Sequence, residues 1–534
     1  MKKKQHPKKE EKMKGRLSTL AFVLVLSALI AGGCAPTTAS TEVLAGVYWP
    51  TTDWRTSTPE EQGMDPTKLN QMMALIDEGN IAIDSVLVVR RGHIVLEEYR
   101  NAYTPQTKHH IQSVTKSFTS MLIGIAIHEG FIENVGQRMV DFFPDQAIAN
   151  MDARKQAITL ENLLTMSDGM DWHELDYPYS DERNTLGQMW VSGDAVQHVL
   201  DRPMVRDPGE EWAYNSGTSI LLGGIIEQVT GQDVLAFARE YLFDPIGVGE
   251  VRWQKTTGNH YHTDGGLWMT PRDMARFGYL MLNNGTWDGK EIVSSEWVAQ
   301  SSSAHYQTTG FYGYGYQWWT WPGTGIYAAT GHYEQKIYVV PEADLVVVFT
   351  ANIADKDPHP TDAFLGRFIL PACDEYVTER YSKYGFSFDH PPGVTLLEAG
   401  VGGQGVASDA SGMVQFNYYG GSPLELVGTI WSTAEVAPNL ETALDEIFAS
   451  VESGGNEVTS RGSLEVSVKD NHEMIYQRFD LTEQGQLLMG VMGSWYCDKA
   501  NRVYIFSYVT FPEFTTQQDL PKEFQRHLDS FVCH

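Results

Sequence analysis

The stretch Ile111-Gln112-Ser113-Val114-Thr115-Lys116-Ser117-Phe118 decides how the rest of the chain is read. Two apolar, strand-like runs precede it, Ser85 to Arg90 and His93 to Tyr99, joined by the turn Arg91-Gly92. After it Phe118, Met121, Leu122, Ile125 and Ala126 recur at helical spacing, and Gly130 closes the run. Ser113 is therefore expected at a helix N-terminus, where unpaired N–H groups and the positive end of the dipole favour a developing negative charge. Lys116, three residues on, lies on the same face. A serine hydroxyl is a poor nucleophile until a base takes its proton, and a lysine whose pKa is lowered in a semi-buried cleft can be that base. About one Ser-x-x-Lys is expected by chance in a chain this long, and a helix-capping serine beside a solvated lysine has the same spacing. Other parts of the chain have to decide between them.

Two further stretches carry chemistry. Pro208-Gly209-Glu210-Glu211-Trp212-Ala213-Tyr214-Asn215-Ser216-Gly217 is a polar turn leading into an apolar helix that runs from Ile220 to Gly231. The Tyr214 phenol can donate or accept a proton, and near a lysine cation its pKa is expected to fall far enough for it to act as a base or proton shuttle. Ala328-Ala329-Thr330-Gly331-His332-Tyr333-Glu334-Gln335 continues through Lys336–Val340 and, after a turn, Leu345–Phe349, which is a strand–turn–strand pattern. A strand edge beside the nucleophile can supply one N–H of an oxyanion hole, with Ser113 N–H as the other. The long loop Met170 to Arg183, rich in Asp, Glu, Trp and Tyr, adds Tyr177, Tyr179 and Asp181 as candidates for shaping substrate entry.

These motifs occur in one order: Ser113-x-x-Lys116, Tyr214-Asn215-Ser216, then Gly331-His332-x-x-Gln335, with Gly265-Gly266-Leu267-Trp268-Met269-Thr270-Pro271-Arg272-Asp273-Met274-Ala275 between the last two. Together they resemble the serine β-lactamase-like superfamily, which includes class C β-lactamases, D-alanyl-D-alanine carboxypeptidases, β-lactamase-fold esterases and 6-aminohexanoate-dimer hydrolases. The resemblance covers residues 61–372. It implies an α/β (α+β) fold: an antiparallel sheet flanked by helices, plus an all-helical subdomain, with the site between them. It also implies Ser113 as acyl-forming nucleophile, Lys116 as its activating partner, Tyr214 as second base and proton relay, His332 lining the cleft, and Gln335 N–H in the oxyanion hole. Two positions depart from the lactamase and peptidase pattern. Their second motif is Tyr-x-Asn, where this chain has Ser216 third and Asn215 displaced by one. Their third motif is Lys-Thr-Gly, where this chain has His332, a poorer carboxylate anchor. Both departures favour an ester or amide hydrolase over a penicillin-binding D,D-peptidase or β-lactamase. A third alternative is a non-catalytic surface-binding lipoprotein.

The ends of the chain place it. Residues 1–16 are basic, Leu17 to Ile30 is apolar, and Ala31-Gly32-Gly33-Cys34 follows. That order is a secretory signal, too short to span a bilayer comfortably. The cysteine after Ala-Gly-Gly resembles the bacterial lipoprotein signal, which implies a signal peptide 1–33, lipidation of Cys34 and a membrane-anchored, extracytoplasmic protein. Residues 34–60 read as a tether. The formal net charge is −29, and because residues 1–33 carry eight Lys/Arg and two Glu, the chain from Cys34 is near −35. That charge disfavours nucleic acid as a partner. No cysteine pair has metal-ligand spacing and the 16 histidines form no zinc signature, so no metal or organic cofactor is expected. Residues 373–385 read as a linker and 386–534 as a small C-terminal α+β module, in which Cys497 and Cys533 are the expected disulfide.

Overall fold

The computed structural model describes residues 48–534, apart from 309–311, 322, 355–359, 375–377, 391–395, 402–405, 418–424, 454–455, 470, 484–485 and 511–519. The signal segment, Cys34 and the first part of the tether lie outside the described residues.

Helix α1 (Pro66–Glu78) starts where Asp65 accepts from Thr67 N and Pro66 takes the first helical position. Strands β1 (Ile83–Arg90) and β2 (His93–Tyr99) form the hairpin expected at Arg91-Gly92. Then come α2 (Val114–His128), α3 (Leu160–Leu164), α4 (Ala195–Leu200), α5 (Ser216–Thr230) and α6 (Pro271–Leu282). The chain returns through β3 (Tyr306–Gln307), β4 (Gly313–Tyr314), β5 (Trp319–Thr320), β6 (Tyr327–Gly331), β7 (Gln335–Val340) and β8 (Leu345–Ala351). These strands form one antiparallel sheet in the order β2-β1-β8-β7-β6-β5-β4-β3.

Successive side chains of a strand point to opposite faces, and here both faces are covered. Leu87, Val89, Ile337, Val339, Val346 and Val348 pack with α2, α5 and α6. Val86, Val88, Tyr338, Val340, Val347 and Phe349 pack with α1 and with Phe364 to Ile369. Double burial explains why β1 and β8 read as unbroken apolar runs instead of alternating ones.

Two expected connectors are structured. Within the described part of the tether, Trp54 is buried, Trp49 packs on Tyr279 and Trp287, and Arg276 Nε donates to Pro50 O at 2.8 Å. Trp49, Pro50 and Trp54 thus pack against α6, while Thr52, Asp53, Arg55, Thr56, Thr58 and Glu60 stay exposed. In the expected linker, Cys373 is buried and bridges to Met64, and Asp374 meets buried Arg90 at 3.0 Å. Strand β9 (Glu379–Lys383) already belongs to the next sheet, which it forms with β10 (Phe386–His390).

The C-terminal region continues with β11 (Leu397–Ala399), β12 (Ser411–Asn417), β13 (Glu425–Thr433), α7 (Leu440–Ser453), β14 (Glu457–Arg461), β15 (Glu465–Lys469), β16 (His472–Glu483), β17 (Gln486–Cys497), β18 (Arg502–Thr510), α8 (Leu520–Asp529) and β19 (Val532–Cys533). Its large antiparallel sheet runs β11-β12-β13-β18-β17-β16-β14, with β15 also on β16. Cys497 and Cys533 are joined by a disulfide, and Cys373 is a free thiol.

Candidate active site

Ser113 stands immediately before α2 with a near-helical backbone, and its side chain makes no capping bond. The capping alternative is therefore absent. Instead Lys116 Nζ donates to Ser113 Oγ at 2.9 Å. Before it, Gln112 takes a left-handed conformation (φ 52°), a strained state for a non-glycine residue and one that clusters at functional sites. The N–H groups of Val114, Thr115 and Lys116 are taken by the carbonyls of Ile111, Gln112 and Ser113. Ser113 N–H is the donor of this helix start that such pairing does not consume.

Lys116 is only 2% exposed, and its ammonium also donates to Asp264 O at 2.5 Å. Burial pushes its pKa down, against the pull of Glu174 and Asp264. Its spacing from Ser113 was legible in the sequence, but these partners were not. Glu174 is buried and accepts from Ser216 N (2.8 Å), Ser216 Oγ (2.7 Å) and Trp172 Nε1 (3.0 Å). Burial drives its carboxyl up, opposed by the Lys116 charge and those donors. Burial pushes Asp264 the same way, but His262, 3.3 Å away, and Lys116 together hold it below the usual range.

Tyr214 enters from the turn before α5, its ring centroid 5.2 Å from Lys116 Nζ and 6.0 Å from that of Trp319. The expected fall in its pKa is not found. Burial and the Glu174 charge push it up, opposed by a hydrogen bond with Ser113, so the group is a neutral phenol. It can pass a proton on but is no phenolate base.

Of the remaining candidates, the cleft collects some. His332 and Tyr179 face each other edge-on with centroids 5.5 Å apart, and both line the space in front of Ser113. Ser216 also reaches it, though its hydroxyl is tied to Glu174. Asn215 turns away: its side chain caps α5 through Gly217 N and donates to Asp168, and it lines neither of the cavities at Ser113. The Gln335 side chain is buried, its Nε2 donating to Tyr333 O and Ala351 O, bonds that leave the role expected of its backbone N–H unaffected. Tyr333 and Glu334 take left-handed backbone in this hairpin, which presents His332 and Tyr333 outward. Tyr177 stacks under Arg183, and Asp181 pairs with the same guanidinium at 2.7 Å, so both brace the loop from outside. Asn184 fixes that loop by donating to the carbonyls of Glu174 and Tyr177.

Ser113 thus opens onto two cavities. One, about 300 Å3, is walled by Tyr214, Tyr312, Trp319 and Trp321. The other, about 460 Å3, is lined by His110, Gln112, Gln254, His262, Glu174 and Asp264 together with Leu186 and Trp190. Among the described residues, His472, Cys497 and Cys533 lie close enough to share a metal ion, but the two sulfurs are bonded to each other.

The model of the Beta-lactamase family matches residues 62–370. A 6-aminohexanoate-dimer hydrolase from Paenarthrobacter ureafaciens is 28% identical over 295 residues, covering 51% of this chain and 74% of that protein. An ML-236A carboxylate methylbutanoyltransferase from Penicillium citrinum is 26% identical over 156 residues, 27% of this chain and 37% of that one. Among solved structures, a putative 6-aminohexanoate-dimer hydrolase from Bacillus anthracis superposes with a TM-score of 0.51 at 22% identity, over 60% of this chain and 88% of that one.

Proposed function

The chain belongs to the Beta-lactamase family, and from that premise and the site geometry we propose that it is a serine hydrolase that cleaves a small ester or amide through an acyl-enzyme on Ser113. The observation that carries this reading is the buried Lys116 ammonium on the Ser113 hydroxyl at 2.9 Å, with the Tyr214 phenol beside both. Burial makes the neutral amine accessible, and the neutral amine takes the Ser113 proton as Oγ attacks the carbonyl. The oxyanion that forms lies at the start of α2, where Ser113 N–H and the helix dipole stabilise it. Tyr214 O–H protonates the leaving group and regains its proton from Lys116. Water then attacks the acyl-enzyme by the same route. The similarity to an amide hydrolase and to an acyltransferase supports acyl transfer as the shared chemistry.

Neither departure from the lactamase pattern is repaired in space. Asn215 is committed to capping α5, and an imidazole lines the cleft where a lysine would hold a carboxylate. Intact-mass labelling with a fluorophosphonate and, in parallel, a penicillin tests the reading. One phosphonate adduct, lost in Ser113→Ala, with no penicillin adduct, is the expected result. Adducts from both reagents would move the protein to the peptidase and β-lactamase branch, and none from either would leave a binding protein.

We propose in addition that the chain works outside the cytoplasm, anchored through a lipid on Cys34. The basic–apolar–Ala-Gly-Gly-Cys order supports this, and so does a structural disulfide, which persists in oxidising compartments. Radiolabelled palmitate should enter the wild-type chain and not Cys34→Ser; equal incorporation would remove the anchor.

A further inference from the structure

The 460 Å3 cavity beside Ser113 is charged at its floor and apolar at its mouth. Lys116, Glu174 and Asp264 form the floor, and all three are buried. Tyr179, Trp190 and Tyr333 line the same cavity but stay 38%, 41% and 38% exposed. Leu175, also exposed, stands where the smaller cavity opens. The rings form a band. Between centroids, Tyr179 lies 6.3 Å from Trp190 and 5.5 Å from His332, whose imidazole lies 3.9 Å from Tyr333. The band therefore crosses from the short helix Thr185–Trp190, over the 170–183 loop, to the hairpin that follows β6.

Apolar surface left in water contributes nothing to folding, and here the backbone is bent to present it. Tyr333 takes a left-handed conformation (φ 60°), which is costly for a tyrosine. Trp190 ends a helix whose Leu186 and Met189 are buried, yet its own ring faces the cavity mouth. Contiguous exposed apolar side chains at the rim of a cleft mark a surface for an apolar ligand. Tyr214 fixes which part of the ligand that is. It lines the smaller cavity and not the larger, so the leaving group that it protonates departs on the smaller side. The acyl part then extends the other way, past Tyr179 and Trp190.

We propose that the acyl half of the substrate is an apolar alkyl chain, laid across Tyr179, Trp190 and Tyr333 while its carbonyl lies at Ser113. This rests on the hydrolase reading above and names the acyl class that the site selects.

The test uses the full chain and the p-nitrophenyl esters of acetate, butanoate, hexanoate and octanoate. Full burial of a CH2 group is worth about fourfold, so a half-exposed rim should raise kcat/KM about twofold per added CH2. Trp190→Ser and Tyr333→Ser should each lower the octanoate-to-acetate ratio of kcat/KM at least about fivefold. The ratio cancels any loss of folded protein, because both esters then fall alike. A series that is flat or falls with chain length overturns the inference, as does a rise that neither variant reduces. A rise confined to concentrations at which the esters aggregate would assign the band to a lipid surface and overturn the single-chain subsite. Fluorophosphonate labelling of Ser113 together with a flat series overturns this inference alone. Absence of labelling overturns the hydrolase reading, and with it the acyl subsite.

Discussion

At the scale of the residue, the site turns on where two protons sit. Lys116 acts as a base only as the free amine, and burial lowers its pKa from the ordinary 10.5. Acylation of Ser113 should therefore be suppressed at low pH, where Lys116 is charged, and should rise with pH through an apparent pKa below 10.5. Phosphonylation rates across pH check this, and a flat profile would remove Lys116 as the base. Lys116→Arg should abolish the rise, because a guanidinium stays charged. Tyr214 has the complementary task. A phenol held neutral serves the leaving group, so Tyr214→Phe should cut amide turnover by about 10²–10⁴-fold and cut p-nitrophenyl ester turnover much less, since nitrophenolate departs without a proton. Equal losses on both substrates would assign Tyr214 to the attack step instead. Ser113, Lys116 and Tyr214 were legible because each stands in a short motif of fixed spacing. Glu174 and Asp264 were not. Several acids share the 170–183 loop, and it is the contacts of Asn184, Trp172 and Ser216 that make Glu174 the buried one.

At the scale of the element, the cleft depends on how closely β6 approaches the start of α2. Gly331 ends that strand, and a Cβ placed there would lie 2.5 Å from Ile111 O and 3.1 Å from Gln112 Cβ. Those two residues lead directly into Ser113. Gly331→Ala should therefore push strand and helix apart while leaving the sheet core intact. Misplacing reacting groups by about 1 Å can cost on the order of 10²-fold in rate, so kcat/KM on an ester should fall at least tenfold with a small change in Tm. A matching collapse of Tm would show the contact to be structural only. The hairpin beyond Gly331 shows where reading the elements from sequence runs out. The sequence pattern runs Ala328 to Val340 together before the turn at 341–344, but Tyr333 and Glu334 adopt left-handed backbone that neither residue type signals and so divide it into β6 and β7. The turn at Tyr333-Glu334 rotates Gln335 inward and hands the cleft to His332 and Tyr333.

At the scale of the whole molecule, the question is how far the C-terminal region supports the site. The two parts meet where Ala363 joins Leu444, Phe448 and Phe479 in one apolar cluster and where buried Arg367 pairs with Glu523 at 3.0 Å. Neither contact touches the cleft. Inside the C-terminal region, the disulfide ties β17 to β19 across a separation of 36 residues. By the chain-entropy account, closing a loop of that size stabilises by about 3–4 kcal/mol. Around it pack Trp495, Tyr504, Phe386 and Phe531, so the bond reinforces a core that is already dense. The double variant Cys497→Ser/Cys533→Ser should therefore fold, yet its C-terminal region should unfold at lower denaturant than residues 61–372. The measurement is urea unfolding followed by two probes, phosphonate labelling of Ser113 and protease sensitivity of the C-terminal strands. The expected outcome is two separated transitions, with labelling lost at the later one. A single coincident transition would mean that the Arg367–Glu523 and Ala363 contacts couple the two cores. In that case the C-terminal region would be part of what keeps Ser113 and Lys116 in register.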